Sequence, residues 1–202
     1  MFHPDNVSQS FWHKRFGPTA GAIILFALEV IQIAIISAAI IIPIRFFLIQ
    51  PFYVKGASME PNYYNREYLI IDEISYRFTQ PKRGEIVVFR YPRDPSEFFI
   101  KRIIGLPGDT VEITDGRIAI YNDEHPSGII LDEEYLFGES TPGEKKTTLN
   151  ENEYFVLGDN RDASLDSRNF GPVTDEHIVG RMWLRGLPLS RMGAFSLPEY
   201  NL

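Results

Sequence analysis

The sequence contains no cysteine. That excludes disulfide frameworks, thiolate zinc sites and a cysteine nucleophile, and leaves the redox compartment open. Positive charge is in the minority, with 27 acidic against 20 basic residues and a formal net charge of -7. An acidic chain offers no general phosphate-binding surface, so no nucleic acid is expected as a partner. Histidine is sparse: His3 and His13 precede the long apolar run, while His125 and His177 sit in turn-like contexts without acids at metal-ligand spacing. No metal site and no Ser-His-Asp triad is therefore expected, and each histidine reads as solvated. Glycine-rich phosphate loops are absent as well, which removes nucleotide chemistry. At 202 residues there is room for one catalytic-sized domain and a small appendage, not for two full domains.

Only one long hydrophobic run is present, AGAIILFALEVIQIAIISAAIIIPI from Ala20 to about Ile44. Roughly 25 residues at 1.5 Å each span a ~30 Å hydrocarbon core. Glu29 and Gln32 interrupt it near its first third, where an acid is tolerated more cheaply than at the centre. A cleaved signal peptide has a shorter apolar core and a small-residue site behind it, whereas Pro43, Arg45 and Phe46 follow here. The reading is a retained anchor, with a buried core helix and a cleaved signal as alternatives. Lys14 and Arg15 before the run compete with Arg45 and Lys55 after it, so orientation is close to a tie. With the basic pair inside, residues 1–19 form a cytoplasmic tail, 20–44 span the membrane, and 45–202 lie outside the cytoplasm.

Beyond residue 50 the pattern changes to short runs rich in β-branched and aromatic residues. Tyr68 to Ile74, Glu85 to Tyr91, Phe98 to Gly105, Thr110 to Thr114, Arg117 to Tyr121, Glu153 to Gly158 and Ile178 to Gly186 read as strands. Asp115-Gly116 between two of them signals a hairpin, and Pro107-Gly108-Asp109 another turn. The expected fold is mostly β, a compact antiparallel barrel or coiled sheet carried on one N-terminal transmembrane helix. The polar, Gly/Pro-rich stretch at about 122–150 reads as an extended hairpin or mobile loop inserted in that domain. Asp132, Glu133 and Glu134 read as a solvated loop face, and Asp159, Asp162 and Asp166 as turn chemistry, since they lack calcium-loop spacing.

Serine and lysine carry the remaining chemistry. GASMEP puts Ser58 at a turn after the extended segment FFLIQPFYV, and FFIKRIIG puts Lys101 in an otherwise apolar run 43 residues later. Burial penalises an ammonium, so a lysine on the dry side of such a strand becomes a usable base. A neutral amine can take a serine proton without histidine. The plainer alternative is a turn hydroxyl and an outward lysine whose stem covers apolar surface.

At these residues the sequence resembles the type I signal peptidases, membrane-anchored Ser-Lys proteases that cleave signal peptides from exported proteins. The resemblance runs from about Phe46 to Arg185 in four ordered blocks: PFYVKGASMEP, KRGEIVVFRYP, FIKRIIGLPGDTVEI and GDNRDASLDSRNFGPV. It implies Ser58 as nucleophile and Lys101 as general base, Ser164 as a hydroxyl that orients the lysine, and an Asp166 and Arg168 ion pair that holds the last block. It further implies an extended substrate between strand edges, with shallow pockets for small residues lined by Phe52, Val54, Met59, Val88, Phe99 and Ile100. The partners implied are signal peptides of exported preproteins and membrane lipid, with no cofactor, a monomeric state, and a cytoplasmic-membrane location. Three positions depart from the family pattern: Asn62-Tyr63 after the serine block, Ala163 in place of Asn, and Gly56 where some members carry an oxyanion-donating serine. Competing readings are a self-cleaving peptidase resembling the LexA-type repressors and an inactive β-domain that binds exported chains.

Overall fold

The computed structural model describes residues 17–43 and 49–201. The tail with its histidines and basic pair, Arg45 and Phe46 lie outside the described residues. Two units separate, one ending at Phe47 and the other running from Leu48 onward.

The first unit contains helix α1, Pro18–Pro43. Proline suits a first helical position because the amide it lacks would be unbonded there. Its Thr19–Ile42 portion has a mean hydropathy of 2.5, with none of the most apolar stretch buried by protein. A helix apolar on every face and 26 residues long covers roughly 39 Å, more than a hydrocarbon core requires.

The second unit is antiparallel throughout. Its strands are β1 (Ile49–Tyr53), β2 (Tyr68–Asp72), β3 (Ile86–Tyr91), β4 (Asp94–Gly105), β5 (Thr110–Thr114), β6 (Arg117–Tyr121), β7 (Ile129–Ile130), β8 (Lys145–Thr148), β9 (Glu153–Leu157), β10 (Val173–Thr174), β11 (Ile178–Leu187) and β12 (Gly193–Ala194). One sheet has the order β1-β2-β11-β3-β4-β9-β10, with β12 added to β11. The other has the order β7-β6-β5-β8. Both sheets are open ribbons, so the coiled sheet is the form adopted and not the closed barrel.

Local sequence accounts for these elements. Val111 and Ile113 on β5 and Ile118 and Ile120 on β6 are buried while their neighbours are not, the alternation of a strand with one covered face. Asp115 and Gly116 both take positive φ, 49° and 74°, which fits the tight twist of a two-residue hairpin. In β3, Ile86 to Phe89 are buried without alternation, as a strand covered on both faces must be. The 122–150 stretch supplies β7 and β8 to the second sheet and buries Leu131, Leu136 and Leu149. Its strands are two and four residues long, too short and too polar to stand out from a loop in the sequence.

In the larger sheet, two of the open strand edges matter for the site. Among the described residues, strand β1 pairs only with β2. Strand β4 pairs with β3 along most of its length but with β9 only from Arg102 onward, so its first eight residues keep one unpaired edge.

Candidate active site

Ser58 sits on a turn pinned at both ends. Val54 bonds across its base, Val54 N to Glu67 O and Arg66 N to Val54 O, both 2.9 Å. Met59, 1% exposed, plugs the turn into the core with Leu69, Ile71 and Val88. The Ser58 carbonyl accepts from Asn160 N at 3.1 Å, which clamps the turn to the loop after β9. Gly158 lies against that contact, and a side chain there would collide with the Ser58 carbonyl oxygen and with Ser164. Only glycine allows the approach.

Lys101 reaches the same place from β4, 4% exposed. Its Nζ lies 2.8 Å from Ser58 Oγ and 2.8 Å from the Ile100 carbonyl, with the Phe99 ring centroid 5.4 Å away. Burial lowers its pKa from 10.5 to about 8, against the opposing pull of the Asp166 and Asp159 carboxylates. The free amine is thus accessible near neutral pH beside a hydroxyl at hydrogen-bond distance.

The next residue faces the other way. Arg102 donates to both oxygens of Asp159, at 2.8 and 2.6 Å, and to the Gly84 carbonyl at 3.0 Å. Asp159 also accepts from Asn62 Nδ2 at 2.9 Å. Asp166 is wholly buried and takes Arg168 Nε at 2.9 Å and Nη2 at 2.8 Å, besides capping helix α2 (Ser167–Phe170). This pair is therefore interior rather than a surface bridge. Arg168 Nη2 also holds the Arg161 carbonyl at 2.6 Å.

Groups that the sequence left unassigned complete this framework. Arg161, 2% exposed, pairs with Glu133 through both terminal guanidinium nitrogens and holds Gly158 O through Nε at 3.1 Å. The solvated reading of Glu133 is thereby corrected, because only its neighbours Asp132 and Glu134 extend away. A run of three acids gives no hint that the middle one has an arginine 28 residues ahead. Asp159 likewise serves as a buried counter-ion, more than turn chemistry.

Ser164 behaves differently from its expectation. Its Oγ is buried and without a hydrogen-bond partner, close to Gly158, and both bonds of Lys101 Nζ go elsewhere. Gly56 has φ +93° and its N–H donates to Asn65 Oδ1 at 3.2 Å. Asn62 and Tyr63 anchor the turn inward rather than lining a pocket rim, since Asn62 reaches Asp159 and Tyr63 is 6% exposed.

A groove of about 660 Å³ runs past the serine and the lysine. Phe52, Val54, Val88, Phe99 and Ile100 line it, as do Leu69, Phe98, Ala163 and Leu165. Met59 does not: its side chain fills the core beneath, because the turn needs an apolar anchor there. One wall is the β1 segment and the other is the unpaired half of β4, and Phe52 meets Phe98 across them with ring centroids 5.6 Å apart.

The sequence profile of the family described as "Signal peptidase, peptidase S26" matches residues 27–186. The chain belongs to the type I signal peptidases. Similar proteins include the probable signal peptidase I-2 of Synechocystis, 38% identical over 172 residues that cover 82% of this chain and 76% of that one. The signal peptidase I of Leptolyngbya laminosa is 35% identical, covering 90% and 88% of the two chains. Signal peptidase IB of Staphylococcus aureus is 31% identical, covering 82% and 94%. As a signal peptidase I, the protein is a serine endopeptidase that cleaves signal peptides. Its apolar N-terminal helix is consistent with anchoring in a membrane.

Proposed function

We propose that Ser58 and Lys101 carry out this cleavage as a nucleophile and general base. The observation that carries the reading is the 2.8 Å approach of the buried amine to the serine hydroxyl. Neutral Lys101 accepts the Ser58 proton as Oγ attacks the scissile carbonyl, and the ammonium then gives that proton to the departing amine nitrogen. Water then attacks the acyl carbonyl as Lys101 takes its proton, the bond from that carbon to Ser58 Oγ breaks, and the ammonium returns the proton to Oγ, releasing the carboxyl product and restoring the neutral amine. Backbone N–H groups around Ser58 supply the oxyanion donors, because Gly56 has no hydroxyl to offer.

The substrate lies extended between the free edges of β1 and β4, where main-chain bonds give affinity and Phe52, Val54, Val88, Phe99 and Ile100 form pockets suited to small side chains. Asp166 and Arg168 support the site by fixing the loop that touches Ser58, and Ser164, whose buried Oγ has no other partner, is the hydroxyl available to orient the amine. Helix α1 crosses the cytoplasmic membrane with the β domain on the outer side, as a single chain beside lipid. The test is to mix detergent-solubilised protein with a preprotein, map the cut, and run Ser58→Ala in parallel. Cleavage after a small residue by the wild type and none by the variant is expected, and turnover by Ser58→Ala would reject the assignment.

A further inference from the structure

The 122–150 stretch contributes no residue to the lining of the groove, yet one of its residues, through its carbonyl, its ring and its hydroxyl, touches three of the pieces of chain that hold the site. Tyr135 lies in the 3-10 turn Glu134–Leu136. Its carbonyl accepts from Asn62 Nδ2 at 3.1 Å. Asn62 belongs to the same turn as Ser58. The Tyr135 ring covers the guanidinium of Arg102, with Cζ 4.0 Å from the centroid. Its hydroxyl donates to Glu133 Oε1 at 2.5 Å and receives Arg161 Nη2 at 3.3 Å. Tyr200 packs edge-on against it from the C-terminal segment, ring centroids 6.1 Å apart.

Each contact leads to the reacting pair by a short path. Arg102 follows Lys101 in β4, and neighbouring residues on a strand point to opposite faces. Lys101 therefore enters the groove while Arg102 points back to Tyr135. The edge of the Arg102 guanidinium is used by Asp159 and Gly84, and the tyrosine ring closes a face that water would otherwise reach. Asn62 and Arg102 end on the same Asp159 carboxylate. The orientation of the serine turn and of the lysine strand is thus referred to one cluster, and Tyr135 closes that cluster from outside. Burial pushes its phenol far above the ordinary value, so the hydroxyl stays a donor at every working pH.

We propose that Tyr135 is a positioning residue for the Ser58 and Lys101 pair, acting through Asn62 on the nucleophile and through Arg102 on the base. The inference rests on the reading of Ser58 and Lys101 as the reacting pair. Tyr135 touches neither groove nor substrate, so its loss should lower kcat and leave KM alone.

The experiment compares Tyr135→Phe, Tyr135→Leu, Asn62→Ala and Leu131→Ala in the full-length protein on one peptide substrate, well below each melting temperature. Tyr135→Phe keeps the ring and the carbonyl and should retain kcat within about threefold. Tyr135→Leu removes the ring and should lower kcat by about 10- to 100-fold with KM within about twofold, since small misplacements near a reacting pair are costly. Asn62→Ala should lower kcat in the same manner. The double variant should fall no further than the worse single, because both act through the Asp159 cluster. Leu131→Ala opens the nearby core without touching the cluster and should melt earlier at unchanged kcat. A wild-type kcat for Tyr135→Leu, a loss no larger than that of Leu131→Ala at equal stability, or strictly additive losses with Asn62→Ala would overturn the proposal. If Tyr135→Leu does not fold, a wild-type kcat for Asn62→Ala overturns it. Ser58→Ala, run alongside, separates the two readings: turnover there rejects the dyad and this proposal together, whereas an inactive Ser58→Ala with an indifferent Tyr135 rejects only the latter.

Discussion

A lysine held at 4% exposure with a pKa near 8 is costly to fold and useful to have. Between about pH 8 and 10.5 the unfolded chain binds a proton that the folded one does not, so stability rises with pH across that window and the penalty is complete below it. Lys101→Met keeps the volume and drops the charge. It should abolish cleavage while raising stability at pH 7 by roughly 3 kcal/mol, a gap that closes toward pH 10.5. Chemical denaturation of both proteins across that range checks it. In the wild type, kcat/KM should climb through an inflection near pH 8, and Lys101→Arg should be inactive because a guanidinium stays protonated. Gly56 offers a second residue-scale test. Its φ of +93° strains any side chain, even though the space beside it is open. Gly56→Ser and Gly56→Ala should therefore lose activity together, with no gain from the added hydroxyl, and parallel kinetics of the two variants decide it. Ser58 and Lys101 could be picked out as candidates in the sequence because their blocks are contiguous and the lysine interrupts an apolar strand, and the structure brings the two within 2.8 Å. The sign of φ at Gly56 could not be read there, since it depends on how the turn is held by Asn65 and Arg66.

At the scale of elements, the loop from Gly158 to helix α2 acts as a bolt. Asp166 closes the N-terminus of α2, accepts Gly158 N at 3.2 Å and neutralises Arg168, so one carboxylate fixes both ends of the segment that touches Ser58. Asp166→Asn strands Arg168 in a site where its side chain is 13% exposed, and breaking a buried pair costs about 3 to 5 kcal/mol. The same carboxylate raises the pKa of Lys101, so the variant should also shift the inflection of its pH–rate profile to lower pH. Thermal melts and a pH series on any folded fraction read the two effects separately, and an unmoved inflection would mean that Asp166 has no electrostatic reach to the amine. Strands such as β5 and β6 could be read from alternation and a hairpin signal. The pairing of Arg161 with Glu133 could not, because a partner 28 residues away leaves no periodic trace in either segment.

For the whole molecule, an apolar helix precedes a signal-peptide-cleaving domain, and the proposed topology puts that domain outside the cytoplasm. A protease added outside intact spheroplasts should degrade the β domain and spare the tail before α1, as immunoblots against each end would show. Protection of the β domain until lysis would invert the topology and separate the enzyme from its substrates. The long apolar helix was plain from one apolar run that only Glu29 and Gln32 interrupt. Sheet order was not, because β11 inserts between β2 and β3 from 178–187 and nothing local announces so distant a pairing.

That insertion sets a clock on the enzyme's own synthesis. The Ser58 turn hangs from β1 and β2, and Lys101 comes from β3 and β4. The strand that joins these two hairpins is β11. A growing chain acquires its serine and its lysine long before it acquires the strand that brings them face to face. A nascent chain arrested before residue 178 should carry both groups and cleave nothing, and completion of the next ten residues should switch activity on. The proposed pair would in this way wait, unassembled, on a strand made after both of its members.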